Sequence, residues 1–282
     1  MGKVLAPPLS GARMPATGVF EHDLAVVSND PANGEYMRLA LRAPAELLRR
    51  CRAGQFFHLL CPLIGGETPY LRRPMSIYGF FPERGELHFL YKVAGAGTRA
   101  LFNLGPGDAL NVLGPLGVGF RIEDDWHHLL LVARGVGLAT LAPLALEARD
   151  RGRRLTAICS ARHADVLMSI DYFRDMGADI VTVTDAERTS SMEHLEGVIE
   201  ALIQKSGVDA FYTCGSNRML MLLQKLGKRH GIPGEIALEQ QMACGLGMCH
   251  CCVRPFMQDG QRVQLRVCRE GPVFDIQEAM PW

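Results

Sequence analysis

Four cysteines near the C-terminal end constrain the fold of this chain more than any other feature. Cys244, Cys249 and Cys252 follow the pattern C-x4-C-x2-C, and Cys268 comes after fifteen further residues. This spacing is typical of the four thiolate ligands of a plant-type [2Fe–2S] cluster. A four-cysteine zinc site more often has two C-x2-C knuckles, so zinc and unmetallated thiols are the alternatives.

The loop that carries these cysteines also suits close contact with a cluster. Gly245 and Gly247 have no Cβ and tolerate positive φ, so the backbone can wrap tightly around the sulfur atoms. Cys249 and Cys252 can bind from one tight turn, whereas Cys268 must return from a distant strand. The rest of the chain should therefore deliver electrons to the cluster or take them away.

Composition and charge exclude several classes of protein. The 282 residues include 30 Lys and Arg against 30 Asp and Glu, which is unlike the basic footprint of a nucleic-acid-binding protein. Nine cysteines, an odd number, favour a reducing compartment over a disulfide framework. Neither a signal peptide nor an apolar run long enough to span a bilayer is visible. We expect a cytoplasmic protein without nucleic-acid or membrane partners, and a flexible tail over residues 1–15.

Short segments separated by turn residues indicate a β-rich domain over residues 16–120. Six strands at this spacing predict a small antiparallel barrel, with one short helix running from Gly97 to Leu104. The predicted strands are Leu24–Val27, Tyr36–Arg42, Gln55–Cys61, Pro74–Phe80, Glu86–Val93 and Asp108–Leu113.

From residue 121 to residue 235 strands alternate with helices, which predicts a parallel, doubly wound sheet. Residues 236–282 are a short, loop-rich unit around the cysteines. We therefore predict three parts: an antiparallel β-barrel, an α/β parallel-sheet nucleotide domain and a small C-terminal [2Fe–2S] unit. The α/β elements are predicted strands Leu129–Ala133, Leu155–Ser160, Asp179–Thr184 and Ala210–Thr213, and predicted helices Gly137–Asp150, Val198–Lys205 and Asn217–His230.

Two segments of the barrel domain suit a flavin nucleotide. Arg73 and Ser76 lie three residues apart on one predicted strand, where a guanidinium suits pyrophosphate oxygens and a hydroxyl can bond a flavin ring edge. The segment Leu90–Thr98 is a strand, a Gly-rich turn and the start of a helix, which offers backbone N–H groups to phosphates. Within it, Tyr91 could stack on an aromatic ring. Each signal is weak alone, because exposed arginines and Gly-rich turns are common.

Two strand ends in the α/β domain suit a nicotinamide nucleotide. Gly135 and Gly137 follow a buried strand and open a helix, like a dinucleotide-binding turn without its third glycine. Cys214 and Gly215 end another strand, and ligands bind outside the carboxyl ends of parallel strands. An ordinary strand–helix turn and a buried structural cysteine are the alternatives.

In this order, the segments resemble the electron-transfer subunits of class 1B, NAD-linked dihydroorotate dehydrogenases, within the ferredoxin reductase superfamily. The resemblance covers nearly all of the chain beyond the tail, and the cysteine unit with its Gly-Pro-Val-Phe ending is its most specific part. Oxygenase reductases share the first two domains but carry a longer ferredoxin domain. The matching segments are Arg72–Ile77, Gly97-Thr98, Leu113–Gly117, Cys214-Gly215, Met242–Gly245, Val267-Cys268 and Glu270–Phe274.

The resemblance implies contacts for three cofactors. Cluster ligands fall on Cys244, Cys249, Cys252 and Cys268, which leaves Cys251 as a spare thiol. FAD contacts fall on Arg73, Pro74, Met75, Ser76, Leu90, Tyr91, Lys92, Gly97 and Thr98. The nicotinamide nucleotide falls on Gly135, Gly137, Cys214 and Gly215.

Two departures from the family concern the nicotinamide nucleotide. Arg134 replaces the first of two adjacent glycines, and Ser216 replaces a proline. Ser160 and Arg162, at the end of the second α/β strand, could favour a 2′-phosphate. The choice between NAD and NADP therefore stays open.

The resemblance implies a subunit that passes electrons between NAD(P) and a partner, an FMN-containing dihydroorotate dehydrogenase in pyrimidine biosynthesis, in a heterotetramer. FAD is required because hydride donors move two electrons together and a [2Fe–2S] cluster moves one. Either direction of flow is compatible, and no acid–base pair for a small substrate is evident. Alternatives are a reductase subunit for another pyrimidine redox enzyme, a sulfide dehydrogenase or an oxygenase, a redox sensor without nucleotide turnover, and a zinc-stapled binding module.

Overall fold

The computed structural model describes residues 18–64 and 66–282. The tail predicted over residues 1–15 lies outside the described residues. Within them are a closed barrel, a six-stranded sheet and a two-stranded hairpin. The predicted fold class, an antiparallel barrel followed by a parallel-sheet domain and a small C-terminal unit, is confirmed.

The barrel closes in the order β1-β2-β5-β4-β3-β6, with every neighbouring pair antiparallel. Side chains that alternate inward, such as Leu39, Phe57 and Phe89, are fully buried in its interior. All six predicted strands are present. They are β1 (Phe20–Pro31), β2 (Tyr36–Arg42), β3 (Phe56–Leu59), β4 (Arg73–Phe81), β5 (Glu86–Lys92) and β6 (Ala109–Leu116).

The six-stranded sheet has the order β14-β11-β10-β7-β8-β9, and only β14 is antiparallel to its neighbour. Along β7, Leu129 and Leu131 pack toward one core while Leu130 and Val132 pack toward another. Helices therefore cover both faces, as a doubly wound sheet requires. The strands are β7 (His128–Arg134), β8 (Arg154–Ala161), β9 (Asp179–Thr184), β10 (Ala210–Cys214), β11 (Gly234–Ala237) and β14 (Val273–Asp275).

The helices differ from the predictions in two ways. The fifth begins at Met192, six residues before the predicted Val198, because the Ser191 hydroxyl caps it by accepting the His194 N–H at 3.1 Å. Two six-residue helices were missed, since fewer than two turns show no apolar period. No helix among residues 18–64 and 66–282 is long and apolar enough to cross a membrane. The helices are α1 (Ala45–Arg50), α2 (Ala96–Phe102), α3 (Gly137–Asp150), α4 (Ile170–Asp175), α5 (Met192–Ser206) and α6 (Asn217–His230).

The cysteine unit is built on the edge of the six-stranded sheet. A hairpin of β12 (Val253–Gln258) and β13 (Gln261–Arg266) follows the cysteine loop, and the chain then returns as β14 beside β11. Strand β11 runs across the expected boundary between residues 235 and 236. Phe256 and Val267 share one apolar cluster with Phe56 of the barrel. The cysteine unit therefore packs against both of the larger parts.

Candidate functional site

The four predicted ligand cysteines meet as two pairs of thiols. Cys244 is hydrogen-bonded by the Cys249 side chain. Cys252 and Cys268 are likewise hydrogen-bonded, and the Cys268 N–H donates to the Cys252 sulfur at 3.4 Å. Among the described residues, no three His, Cys, Asp or Glu side chains form a group that could hold a single metal ion. Two adjacent thiol pairs fit a two-iron cluster, in which four thiolates are shared between two metals, better than a single zinc ion.

Glycine is required twice in the loop around these thiols. Gly245 has φ +69°, and a Cβ there would lie 2.7 Å from Nε2 of His58 on β3. Gly247 has φ +80°, and its Cβ would lie 3.1 Å from the Cβ of Arg269. Any larger residue would displace these neighbours, so the loop can lie this close only with glycine.

Backbone donors favour the thiolate form of the first cysteine. Burial opposes ionisation of Cys244, but hydrogen bonds from the Cys249 and Leu246 backbone outweigh it and lower its pKa to about 6. At Cys268, burial and then the neighbouring Cys252 raise the pKa to about 12. A bound cation reverses such a rise, because it deprotonates coordinating thiols. The loop therefore supplies the ligand chemistry that iron needs.

The two flavin segments come together at one place on the barrel. A Cβ on Gly97 would lie 2.6 Å from Nε of Arg73, so the start of α2 packs directly against the guanidinium on β4. Thr98 fixes the turn, since its hydroxyl accepts the N–H groups of Ala94 and Gly95 at 2.9 and 3.0 Å. Arg72 instead donates to Glu21 and to Asn111 at 2.6 Å. Arg73 donates to the Leu71 carbonyl oxygen and has no carboxylate partner among the described residues, so it is the arginine placed to meet a pyrophosphate beside α2.

The β5 segment offers fewer side chains to a flavin than its sequence indicates. Tyr91 is only 2% exposed, and its hydroxyl donates to Asn29 at 2.9 Å, so the ring lies in the barrel interior and is not available for stacking. Leu90 packs outward into the core shared with α3, and exposed Lys92 donates to Glu35 at 2.7 Å. A cofactor beside Tyr91 would therefore contact the backbone of Tyr91 and not its ring. Pro74, Met75 and Ser76 are half-buried on β4, opposite β3.

The two nicotinamide segments meet at the carboxyl edge of the parallel sheet. Gly135 has φ +56°, and a Cβ on Gly137 would lie 2.8 Å from the Cys214 carbonyl oxygen. Cys214 is the last residue of β10, which pairs directly with β7, and Gly215 follows it. The sequence thus identified two neighbouring strand ends, where this fold class binds its ligands.

Arg134 adds an ion pair to this edge. Its guanidinium donates to both carboxylate oxygens of Asp185, at 3.1 and 2.6 Å, and to the Ser160 hydroxyl at 3.2 Å. The hydrogen bond from Arg134, and then one from the Ser190 hydroxyl, lower the pKa of Asp185 to about 2. The residue that departs from the family pattern therefore already has a partner.

Glu239 was missed by sequence reasoning. It follows β11, so it lies at the same carboxyl edge as Cys214. Burial is the main cause that raises the pKa of the Cys214 thiol, and the charge of Glu239 is the second. Desolvation by the surrounding protein raises the pKa of Glu239 itself, although part of the side chain reaches the surface. Its position directly after a strand of the parallel sheet was the available signal, but β11 was assigned to the cysteine unit.

A closed antiparallel barrel followed by a doubly wound sheet defines a ferredoxin reductase-like fold, which here carries a cysteine unit at its C-terminal end. The chain superposes on the NADH-dependent reduced ferredoxin–NADP oxidoreductase with a TM-score of 0.73 and 24% identity, over 90% of this chain and 88% of that one. It also superposes on the ferredoxin–NADP⁺ reductase of Plasmodium falciparum, with a TM-score of 0.56 and 15% identity, over 74% of this chain and 89% of that one.

Sequence comparisons identify the particular family. Residues 239–279 match the iron–sulfur cluster binding domain of dihydroorotate dehydrogenase B. The electron transfer subunit of dihydroorotate dehydrogenase B (NAD⁺) from Streptococcus pneumoniae is 32% identical over 81% of this chain and 87% of its own length. The subunit of the same name from Desulforamulus reducens is 32% identical over 91% of this chain and 96% of its own. The chain belongs to this family of electron transfer subunits.

Family membership confirms several predictions. The predicted resemblance and the predicted class, an oxidoreductase subunit for electron transfer, are confirmed. The predicted cofactor set of a [2Fe–2S] cluster, FAD and NAD(P) is confirmed at the level of the family. The individual contact residues stay predictions, and they enter the proposal below.

Proposed function

We propose that this chain passes electrons between an FMN-containing dihydroorotate dehydrogenase subunit and NAD(P), through a [2Fe–2S] cluster and FAD, in the cytoplasm. When bound, the cluster exchanges single electrons and the flavin exchanges one or two, which couples a one-electron relay to hydride transfer. The observation that carries the proposal is the meeting of four thiols, in two pairs, against the barrel that carries the flavin segments.

The ligand assignment follows the thiol pairs. Cys244 and Cys249 would hold one iron, and Cys252 and Cys268 the other. The Leu246 N–H, 3.3 Å from the Cys244 sulfur, stabilises the thiolate that binds the metal. Exposed Cys251 has no such donor among the residues described here, and it stays outside the ligand set.

The nucleotide contacts follow the two glycine turns. Arg73 and the N–H groups of the first turn of α2 would bind the FAD pyrophosphate, and β4 from Pro74 to Ser76, with the backbone of β5 from Leu90 to Lys92, would line the flavin. Gly135, Gly137, Cys214 and Gly215 would bind the nicotinamide nucleotide. The two sites are neighbours, because the Tyr36 hydroxyl of the barrel lies 3.8 Å from the Cβ position of Gly135.

The surface beside the cysteine loop supports a protein partner. Met248 is 79% exposed and Leu246 is 38% exposed, and both lie within the loop that carries the ligands. Val19, Pro115 and Leu116 line a shallow pocket next to the same loop. Apolar side chains around a redox centre suit docking of another subunit. We propose that the FMN subunit covers this surface, in a heterotetramer.

Two measurements test the proposal. Anaerobic mixing of the holoprotein with NADH should bleach the flavin and then the iron–sulfur absorbance within one experiment. Purification of the chain from its native host should co-purify an FMN protein that oxidises dihydroorotate. A flavin that NADH leaves oxidised contradicts nucleotide turnover and favours a redox sensor, and a different redox partner would replace dihydroorotate dehydrogenase.

A further inference from the structure

A buried histidine on the barrel has no hydrogen-bond partner. His58 lies on β3 with 0% of its surface exposed, and neither Nδ1 nor Nε2 has a partner among the described residues. A buried polar group without a partner destabilises the folded state, because it loses its hydrogen bonds to water without replacement. Such a group in a native protein indicates a partner that belongs to the functional state.

The ring points at the cysteine loop. Along β3, Phe57 packs inside the barrel, so Phe56 and His58 point outward. Phe56 lies in the same apolar cluster as Cys252 and Cys268. The Nε2 atom of His58 is the atom nearest to the Cβ position of Gly245, at 2.7 Å, so the imidazole edge contacts the residue next to the first ligand cysteine.

The imidazole is neutral at physiological pH. Burial, and then the charge of Arg72, lower the pKa of His58 to about 4. A neutral imidazole has one N–H donor and one acceptor nitrogen. The donor needs an acceptor, and the sulfur atoms of a cluster held by the adjacent loop are acceptors that gain negative charge on reduction.

We infer that His58 donates a hydrogen bond to a sulfur of the iron–sulfur centre and raises the reduction potential of that centre. Hydrogen bonds to cluster sulfurs stabilise the more negative, reduced form. This inference rests on the ligand assignment proposed above. His58 also pairs across β3 and β4 with Pro74, in the predicted flavin segment. The flavin domain thereby sets the potential of a cluster that another part of the chain holds.

Labelling with ¹⁵N-histidine tests the contact directly. Pulsed EPR of the dithionite-reduced holoprotein should detect a ¹⁵N coupling to the cluster spin. His250, between two cysteines of the loop, is the competing source, so His250→Gln is the matched control. The coupling should persist in His250→Gln and disappear in His58→Phe. A cluster signal without ¹⁵N coupling in His250→Gln overturns the inference, even if His58 variants do not fold.

A redox titration followed by EPR tests the consequence. His58→Phe keeps a ring but removes the donor, and it should shift the one-electron equilibrium toward the oxidised cluster about tenfold, which is about 59 mV. His58→Gln restores an N–H donor and should recover part of that shift. An unchanged potential in His58→Phe overturns the tuning role. If wild-type protein binds FAD but shows no cluster signal, the ligand assignment is wrong. The inference about His58 then fails as well, because it rests on that assignment.

Discussion

The cysteine loop and the nucleotide turn are both glycine-dependent, but they satisfy their polar groups in opposite ways. Beside the loop, His58 is buried, and neither ring nitrogen has a partner among residues 18–64 and 66–282. At the nucleotide turn, Arg134 is already held by Asp185 and Ser160. A resident cofactor can complete groups that the polypeptide leaves unpaired, whereas an exchangeable nucleotide must leave behind a site that is stable when empty. On the proposed assignment, we therefore expect the first site to hold its cofactor permanently and the second to exchange it.

Among the variants that test this comparison, loss of one cluster ligand should have the largest effect, on cluster assembly. Cys249→Ser should abolish cluster assembly and leave FAD bound, because the flavin segments lie on the barrel. Iron content and the visible iron–sulfur absorbance report the loss, and flavin absorbance reports what is retained. Cys251→Ser is the matched control, since Cys251 is an equally exposed thiol two residues away. Full iron–sulfur absorbance in Cys249→Ser would show that the ligand assignment is wrong.

Alanine at the loop glycine should cause the next largest effect. Gly245→Ala combines a strained φ of +69° with a Cβ 2.7 Å from His58 Nε2. Gly260→Ala is the control, because its φ is +75° and nothing lies within 4 Å of its Cβ position. We expect Gly260→Ala to cost about 1–2 kcal/mol in the free energy of unfolding. The clash should add about 1–3 kcal/mol at Gly245.

Urea unfolding of the two glycine variants measures that difference. The midpoint should fall for both variants, and it should fall further for Gly245→Ala. Equal midpoints would mean that the loop moves away from His58 at little cost, and they would weaken the close contact on which the comparison depends.

Removal of the ion-pair partner of Arg134 should have a smaller effect, which concerns the preference between NADPH and NADH. Asp185→Asn removes the charge that holds the guanidinium at the ends of β7 and β8, where an arginine can bind the 2′-phosphate of NADP. The ratio of kcat/KM for NADPH to that for NADH should rise by up to about fivefold, because an exposed ion pair contributes at most about 1 kcal/mol. The double variant Arg134→Ala with Asp185→Asn should lose the gain. A ratio unchanged by Asp185→Asn would place the ribose elsewhere.

The smallest expected effect concerns a carboxylate between the barrel and the sheet. Glu147 on α3 accepts the Ala53 N–H at 2.9 Å, and burial raises its pKa above the usual 4.5. Its ionised form therefore destabilises the folded state, and that penalty develops as the pH rises through the folded pKa. Glu147→Gln keeps the acceptor and removes the charge.

Thermal unfolding across pH measures this effect. Glu147→Gln should raise Tm slightly at pH 7, because it removes a charge whose ionised form burial disfavours in the folded state. The gain should vanish below pH 4.5, where the wild-type carboxyl is protonated in both states. A gain that is the same at pH 4 and pH 7 would show that the charge is not its cause.

The sequence was informative where chemistry depends on residues close together in the chain. The cysteine spacing predicted the four thiols, and Gly97 and Arg73 were each singled out before the structure placed them in contact. It was not informative where function depends on distant pairs. Asp185 lies fifty-one residues beyond Arg134, and no local pattern marks it as a partner. The buried state of Tyr91 depends on which face of β5 turns inward, and its sequence alone fits both.

His58 shows the same limit more sharply. The role inferred for His58 depends on its contact with the cysteine loop, which lies nearly two hundred residues later in the chain. Only the packing of β3 against the cysteine unit brings the two together. Short helices such as α1 escaped detection for a different reason, because six residues carry no periodic signal.

The return of β14 beside β11 has a consequence for how the molecule is put together. The cysteine unit begins after β11 and returns at β14. These strands are neighbours in one sheet, where Ala237 pairs with Val273. The unit is thus an insertion between neighbouring strands, and the β11–β14 pairing anchors it at both ends. Movement of the cysteine unit away from the sheet therefore requires the β11–β14 pairing to break.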